Sequence, residues 1–82
     1  SEEVTYTPNP FQEELVVYVG GSDSHVQVDV FSAEGRLISS RNHILSPSKR
    51  DITVDASEFK LGSYLIKVNA DHVRHSFITI KK

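Results

Sequence analysis

The chain has 82 residues, contains no cysteine and carries a formal net charge of −2, with 9 Lys and Arg residues against 11 Asp and Glu residues. This length is typical of a single domain, and without cysteine neither disulfides nor thiolate metal sites can support the core. No basic stripe is present for nucleic acid, and no apolar run approaches the roughly 20 residues that span a bilayer. The sequence therefore predicts neither nucleic-acid binding nor direct membrane insertion.

Alternating apolar and polar residues dominate the chain, a pattern typical of strands with one face on a core. Two short strands are predicted at residues 4–7 and 36–42. Pro8 and Pro10 cannot donate ladder hydrogen bonds, so we expect the chain to break there between its first and second strands. Five further strands have the clearest alternation, within residues 15–19, 26–30, 52–54, 64–68 and 78–80.

Turn residues separate the predicted strands. Glycines at residues 20–21 can take positive φ, and residues 69–71 have the composition of a tight link. Residues 33–35 have the length of a three-residue hairpin loop with Gly35 in the left-handed region.

One segment, residues 55–62, is predicted to form a helical turn capped by Asp55 or Ser57 and closed by its final glycine. We expect Phe59 and Leu61 to plug one end of the fold.

Seven short strands in a chain of this length predict an all-β fold. The expected architecture is an immunoglobulin-like antiparallel β-sandwich of two sheets. Its predicted core is formed by the inward-facing apolar residues Leu15, Val17, Val28, Val30, Leu37, Ile52, Val54, Tyr64, Ile66, Val68 and Phe77.

Reactive chemistry is not predicted from this sequence. His72 and His75 are the closest histidine pair, but residues three apart on a strand point to opposite faces and cannot converge on one metal ion. No serine lies in the Gly-x-Ser-x-Gly setting of a nucleophile elbow. We therefore expect no catalytic, cofactor-binding or metal-binding residues, no cofactor and no enzymatic activity.

Three aromatic residues leave a second function open. Tyr6, Phe11 and Tyr18 are candidates for an exposed carbohydrate platform, although the chain has no Trp. Alternatively, the loop carrying Phe11 covers Tyr18 and Val16. A carbohydrate- or protein-binding module of a surface protein is therefore the alternative function.

Four segments, in this order, resemble the C-terminal sorting domain that Bacteroidetes cargo proteins carry for export by the type IX secretion system, also called the Por secretion system. Ser32, Glu34, Phe59 and Ser76 depart from the residues most common in that family. The segments are residues 6–10 with Pro8-Asn9-Pro10, residues 28–37 with Gly35, residues 52–68 with Gly62-x-Tyr64, and residues 73–82 with their basic end.

The resemblance implies a secretion signal formed by one domain over residues 1–82, placed last in a longer precursor. It implies transit through the periplasm and passage through the type IX translocon across the outer membrane, ending at the cell surface or in the medium. The implied partners are translocon components and a surface sortase-like peptidase, and the domain is either removed or retained. Removal is expected to cut at or just before Ser1, Glu2 or Glu3, because a cut further in would remove the first strand.

A physical mechanism for recognition follows if residues 73–82 form an edge strand. Unpaired backbone groups would then accept a strand from a translocon component, steered by Lys81 and Lys82, and the same edge would allow dimerisation. The opposing hypothesis is that this is a core strand and that another face is recognised. The residues predicted to carry recognition are Pro8, Asn9, Pro10, Gly35, Gly62, Tyr64, Phe77, Ile78, Ile80, Lys81 and Lys82.

Overall fold

The fold is an all-β sandwich, as predicted. A computed structural model describes residues 4–82, and within them it contains no helix. The strands are β1 (Val4–Thr7), β2 (Glu14–Val19), β3 (His25–Ser32), β4 (Leu37–Ile44), β5 (Asp51–Asp55), β6 (Gly62–Asn69) and β7 (Arg74–Lys81).

Two antiparallel sheets enclose the core. One has the strand order β1-β2-β5 and the other β4-β3-β6-β7. Period-two alternation places every second residue between the sheets. The buried apolar core consists of Phe11, Leu15, Val17, Val19, Val26, Val28, Val30, Leu45, Ile52, Ala56, Tyr64, Ile66, Val68, Val73 and Phe77.

The predicted core is confirmed except at one strand end. Val54 is half-buried against the core, whereas Leu37 is 53% exposed, so its placement inside was wrong. The β3–β4 ladder has a bulge between Val30 and Phe31, and Leu37 pairs with Phe31. Because Val30 points inward and neighbouring residues of a strand alternate, Phe31 and its partner Leu37 point outward.

The β3–β4 hairpin turns as predicted. Gly35 has a φ of 87°, in the left-handed region that glycine tolerates best. Its amide donates to the carbonyl of Ser32 at 2.9 Å, and the Ser32 amide donates to the carbonyl of Arg36 at 2.8 Å.

The helical turn predicted over residues 55–62 was wrong. β5 continues to Asp55 and β6 begins at Gly62, which leaves room for one tight turn. Asp55 does cap the turn, because its carboxylate accepts a hydrogen bond from the backbone amide of Ser57 at 3.1 Å. Phe59 packs against the core as expected, but Leu61 is 75% exposed and plugs nothing.

Candidate functional site

One end of the sandwich joins the first inter-strand segment to the last strand. The amide of Phe11 donates to the carbonyl of Ile80, and the amide of Lys82 donates to the carbonyl of Phe11, both at 2.9 Å. Thr79 Oγ1 donates to the side-chain oxygen of Asn9 at 3.0 Å. We call this region, made of residues 8–11, 62–64 and 79–82, the proline end.

Phe11 anchors the proline end from inside. Its side chain is fully buried, and its ring meets the edge of the Tyr64 ring with centroids 6.2 Å apart. Of the two alternatives for these aromatic residues, the one that places Phe11 on an exposed platform is therefore wrong. Tyr6 stacks on the Phe77 ring at 3.7 Å, while Tyr18 is 47% exposed on another strand. These aromatic residues do not share one binding surface.

Gly62-x-Tyr64 lies at the same end. Gly62 has a φ of 134° and pairs with Lys81 across the β6–β7 ladder. The Tyr64 hydroxyl donates to the carbonyl of Lys60 at 2.5 Å, and its ring packs 5.1 Å from that of Phe59. Gly62 is therefore the first residue of the strand whose tyrosine, Tyr64, fills this end of the core.

The side chain of Lys81 points into the sandwich. β7 alternates with Phe77, Thr79 and Lys81 inward, and Lys81 is 8% exposed. Its ammonium donates to the carbonyl of Ala56. The expected steering role of Lys81 is therefore contradicted, because a buried ammonium bound to a carbonyl does not face an approaching partner. Lys82 is exposed at this position.

β7 is the edge strand of its sheet, as the recognition hypothesis requires, but part of its edge is covered. Phe11 forms a parallel bridge with Lys81 that occupies the backbone groups near the end of the strand. Within the described part of the chain, the open edge is therefore limited to residues 74–78. Strand addition along the whole of β7 is excluded in this conformation.

A groove of about 540 Å³ opens on the surface of the proline end. The proline rings and Val16 form the apolar part of its wall, while the carboxylates of Glu13 and Glu14 and the Lys82 ammonium form the charged part. Such a groove can bind a mixed apolar and charged segment. Its lining residues are Pro8, Pro10, Gln12, Glu13, Glu14, Val16 and Lys82.

The remaining predicted recognition residues lie around the proline end. The turn with Gly35 is at the same end of its sheet, because Ser32 pairs with Tyr64. Ile78 and Ile80 point outward from β7 and are 67% and 47% exposed. Phe77 is buried, and in this position it supports the end from the core.

The expected cleavage residues Ser1, Glu2 and Glu3 lie outside the described residues. The first described residue, Val4, pairs with Val19. Thr7, at the other end of β1, leads directly into the proline end. Val4 therefore lies at the opposite end of the sandwich from the proline segment.

The opposite end contains polar interactions that sequence patterns did not indicate. Arg50 is 7% exposed, and its Nε donates to the carbonyl of Val19 at 3.0 Å. Its Nη1 donates to the carbonyl of Ser46 at 3.4 Å, while its buried Nη2 has no partner among residues 4–82. Arg50 follows a serine-rich turn without periodic pattern, so no sequence signal marked its burial.

A second contact at the opposite end joins two loops. The backbone amide of His72 donates to Asp23 Oδ2 at 2.7 Å, and His72 Nδ1 lies 2.7 Å from Asp23 Oδ1. These hydrogen bonds hold the pKa of the Asp23 carboxyl below its ordinary value of 3.8. His72 therefore binds a carboxylate rather than joining His75.

A second groove, of about 630 Å³, runs between the edge strands β4 and β5. Val28 and Val30 are among its lining residues, together with Arg41 and His43. Burial and the neighbouring Arg41 charge lower the pKa of the His43 ring. Among residues 4–82 there is no cluster of three or more potential metal ligands, and no helix suited to crossing a bilayer.

Comparison with known families yields a match over most of the chain. The family model described as "Secretion system C-terminal sorting domain" matches residues 6–81. The match begins in β1, includes the whole of β2 to β6 and reaches the last residue of β7. No curated protein matches the chain.

Proposed function

The chain belongs to the family of secretion system C-terminal sorting domains, and we propose that its proline end is the surface that the type IX secretion machinery recognises. The family assignment makes the chain a secretion signal, through which a cargo protein is exported across the outer membrane to the cell surface or the medium. The family is one of sorting signals and is not an enzymatic family.

The convergence of distant segments supports this proposal. Residues 8–11, Gly62 and residues 79–82 are widely separated in sequence, yet Gly62 pairs with Lys81 and Phe11 bonds to Ile80 and Lys82. A receptor that binds this end contacts a surface present only in the folded domain. The recognised feature is therefore a three-dimensional surface formed by several segments.

Exposure divides the residues of the proline end into two groups. Pro8, Pro10 and Lys82 are exposed and line the groove, so they are positioned to contact a receptor. Tyr64 and Lys81 are buried and hold the surface in shape. Substitution of the first group is expected to impair recognition directly, whereas substitution of the second group is expected to impair it by changing the shape of the surface.

The proposal extends to partners and route. The domain would pass through the periplasm as the last domain of its precursor, behind a cargo domain. A translocon component would occupy the groove and the open β7 edge at residues 74–78, and a surface sortase-like peptidase would act near Ser1, Glu2 or Glu3. Removal and retention of the domain both fit this scheme, because Val4 lies at the opposite end of the sandwich from the proline end.

The structure weakens the alternative of a carbohydrate-binding module. An aromatic platform requires exposed rings on one surface, but Phe11 is buried and Tyr6 is stacked on Phe77. Exposed Tyr18 alone gives no such surface. The family assignment and the geometry therefore both favour the sorting function.

An export assay with two charge-reversed variants tests the proposal. A reporter is fused upstream of the domain in a type IX-competent host, and Lys82→Glu, combined with Pro10→Ala, is compared with Lys49→Glu. Lys49 is exposed at the opposite end. We expect the first variant to lower surface export by about tenfold, the effect of losing roughly 1.4 kcal/mol of binding, and the control to keep it.

Two measurements make this test decisive. Thermal unfolding must show that both variants remain folded, so that a difference in export reports on the surface and not on stability. Equal export by both variants, with the domain folded, would contradict the proposal and place recognition on another surface.

A further inference from the structure

A row of apolar side chains crosses the solvent-facing side of the four-stranded sheet. Phe31 pairs with Leu37 on one side and with Leu65 on the other, and Leu65 pairs with Ile78. Directly paired residues of antiparallel strands point to the same face. Ile80 lies two residues beyond Ile78 on that face. These five side chains form what we call the outer apolar row.

The outer apolar row is accessible to solvent at both edges of the sheet. Ile78 is 67% exposed and Leu37 is 53% exposed, while Leu65 and Phe31 are half-buried between them. Because these exposed apolar side chains lie next to one another on one face, they form a continuous candidate contact surface.

The neighbouring rows on the same face are polar. The next row along the strands contains Ser40, Asp29, Lys67 and Ser76, each paired with its neighbour. Apart from Ile44 at the far end, the exposed apolar side chains of this face are therefore grouped near the proline end.

Cationic side chains lie beside the outer apolar row. Within the described residues, the pairing of β3, β6 and β7 places Lys67 and Arg74 on this face together with the carboxylate of Asp29, whereas the chain as a whole has a net charge of −2. The Lys67 ammonium lies 5.3 Å from the centroid of the Phe31 ring. The Asp29 carboxylate instead accepts hydrogen bonds from Ser40 and Gln27.

From this combination we infer that the outer apolar row is a docking surface for a partner protein segment with an apolar stripe flanked by carboxylates. The carboxylates would meet the cations of the rim while the stripe covers the row. The inference deepens the proposed function, on which it rests for the setting in which the partner is met, namely export.

A second copy of the chain fits this surface poorly. Four strands spaced about 4.8 Å apart set the width of the surface, and two residue rows set its depth. The resulting area is on the order of 200 Å², whereas a standard interface buries about 800 Å² per partner. Face-to-face pairing would also bring two sets of cations together, which costs binding energy. The area and the charge therefore both favour a weak, reversible complex with an acidic partner.

Two matched synthetic peptides test the chemistry of the partner. Both carry leucines at helical spacing, and the remaining positions are glutamate and glutamine in one and lysine and glutamine in the other. Titration into the isotope-labelled domain is followed by NMR. We expect chemical-shift changes at Phe31, Leu65 and Ile78. At low salt the acidic peptide should bind at least about tenfold more tightly than the basic peptide, and this difference in affinity should decrease as the salt concentration rises.

Variants of the exposed row provide the second arm. Leu37→Ser combined with Ile78→Ser should lower acidic-peptide binding by about tenfold or more, the consequence of losing two apolar contacts. Ile44→Ser is the matched control, because Ile44 is 79% exposed on the same face but pairs with His25 at its far end. We expect the control to bind the peptide normally.

Other outcomes overturn the inference. Equal affinity for both peptides, or chemical-shift changes only at residues outside the row, would rule out an acidic partner at this surface. Dimerisation in sedimentation experiments that Ile78→Ser abolishes would assign the row to a second copy. Binding of phosphatidylcholine–phosphatidylglycerol vesicles that needs the row, without peptide binding, would assign it to a lipid surface.

The export assay separates this inference from the proposed function. If the Lys82→Glu variant lowers export but the Leu37→Ser and Ile78→Ser combination does not, the proline end is recognised and the outer apolar row is not used. If the row variant lowers export while Lys82→Glu does not, the reverse holds. We expect the row variant to lower export severalfold and Ile44→Ser to leave it unchanged.

Discussion

The two ends of the sandwich are each closed by a buried cation that donates to main-chain carbonyls, but they differ in where their parts come from. At the proline end, Lys81 donates to Ala56, and Asn9 bonds to Thr79 across 70 positions of sequence. At the opposite end, Arg50 donates to Val19 across 31 positions. One end thus joins the first inter-strand loop to the last strand, while the other joins internal segments.

This difference indicates how each end responds to damage. Contacts of large sequence separation close the largest loops, so the chain loses more conformational entropy when they form. They also require both participating segments to be in place. We therefore expect the proline end to be the more easily disrupted, although it carries the surface proposed for recognition.

The largest expected effect is at Phe11. Phe11→Ala removes a fully buried ring from the proline end and should lower the free energy of unfolding by about 3–5 kcal/mol. Urea unfolding measures the loss. Leu61→Ala, at a 75% exposed position near the same end, should change it by less than about 0.5 kcal/mol. A loss at Phe11 no larger than that at Leu61 would show that the ring does not anchor this end.

Substitution of the two buried cations compares the ends directly. Lys81→Ala and Arg50→Ala each leave a carbonyl without its charged donor, which should cost about 1.5–3 kcal/mol of unfolding free energy. The effect of Lys81→Ala on export should exceed that of Arg50→Ala when both are compared at equal folded fraction. Equal export of the two variants would argue that the ends do not differ in recognition.

A double-mutant cycle measures the longest-range contact. Asn9→Ala and Thr79→Val each remove one partner of a hydrogen bond of 3.0 Å, and their coupling energy should be about 1 kcal/mol. Chemical denaturation of the two single variants and the double variant gives this value. Additive effects would mean that the side-chain bond contributes nothing to holding the proline segment on β7.

The smallest expected effect is a pH dependence at the opposite end. The hydrogen bonds from His72 lower the pKa of the Asp23 carboxyl, so its ionised form is favoured in the folded state. Its contribution to stability is complete above the ordinary value of 3.8 and is lost as pH falls through the lower folded-state pKa. The urea midpoint of the natural chain should therefore fall with acid more steeply than that of Asp23→Asn.

The control for this measurement is Glu34→Gln in the exposed β3–β4 turn. It should retain the acid dependence of the natural chain. An identical pH profile for Asp23→Asn would show that the contact with His72 does not contribute to acid sensitivity.

The strands could be predicted from sequence because their alternation is local. The surest of them, β3, alternates Val26, Val28 and Val30 with polar residues, and it forms the predicted inner face. Leu37 could not be placed in the same way, since a bulge in the ladder decides which face it occupies. The register of β4 depends on its pairing with β3, so it cannot be predicted from the apolar and polar alternation of β4 alone.

The candidate site was predicted in part. Pro8-Asn9-Pro10 and Gly62-x-Tyr64 were selected by resemblance, and the structure brings both to one end. The burial of Lys81 could be predicted, because Phe77 is predicted in the core and Lys81 lies four residues further along the same strand. Ile78 and Ile80 gave the opposite face of the strand an apolar pattern too, so the alternation alone did not identify the inward face. Phe11, Arg50 and the Asp23–His72 pair lie in loops, where no periodicity reveals which side chain turns inward.

The parallel bridge between Phe11 and Lys81 also has a consequence for synthesis. Translation proceeds from β1 to β7, so the ribosome makes the bridge partner of Phe11 after the other six strands. In a nascent or truncated product that lacks β7, the backbone of Phe11 has no bridge partner and the proline end is not assembled. A receptor specific for that end would therefore ignore incomplete polypeptides, and completion of the domain would itself license the cargo for export.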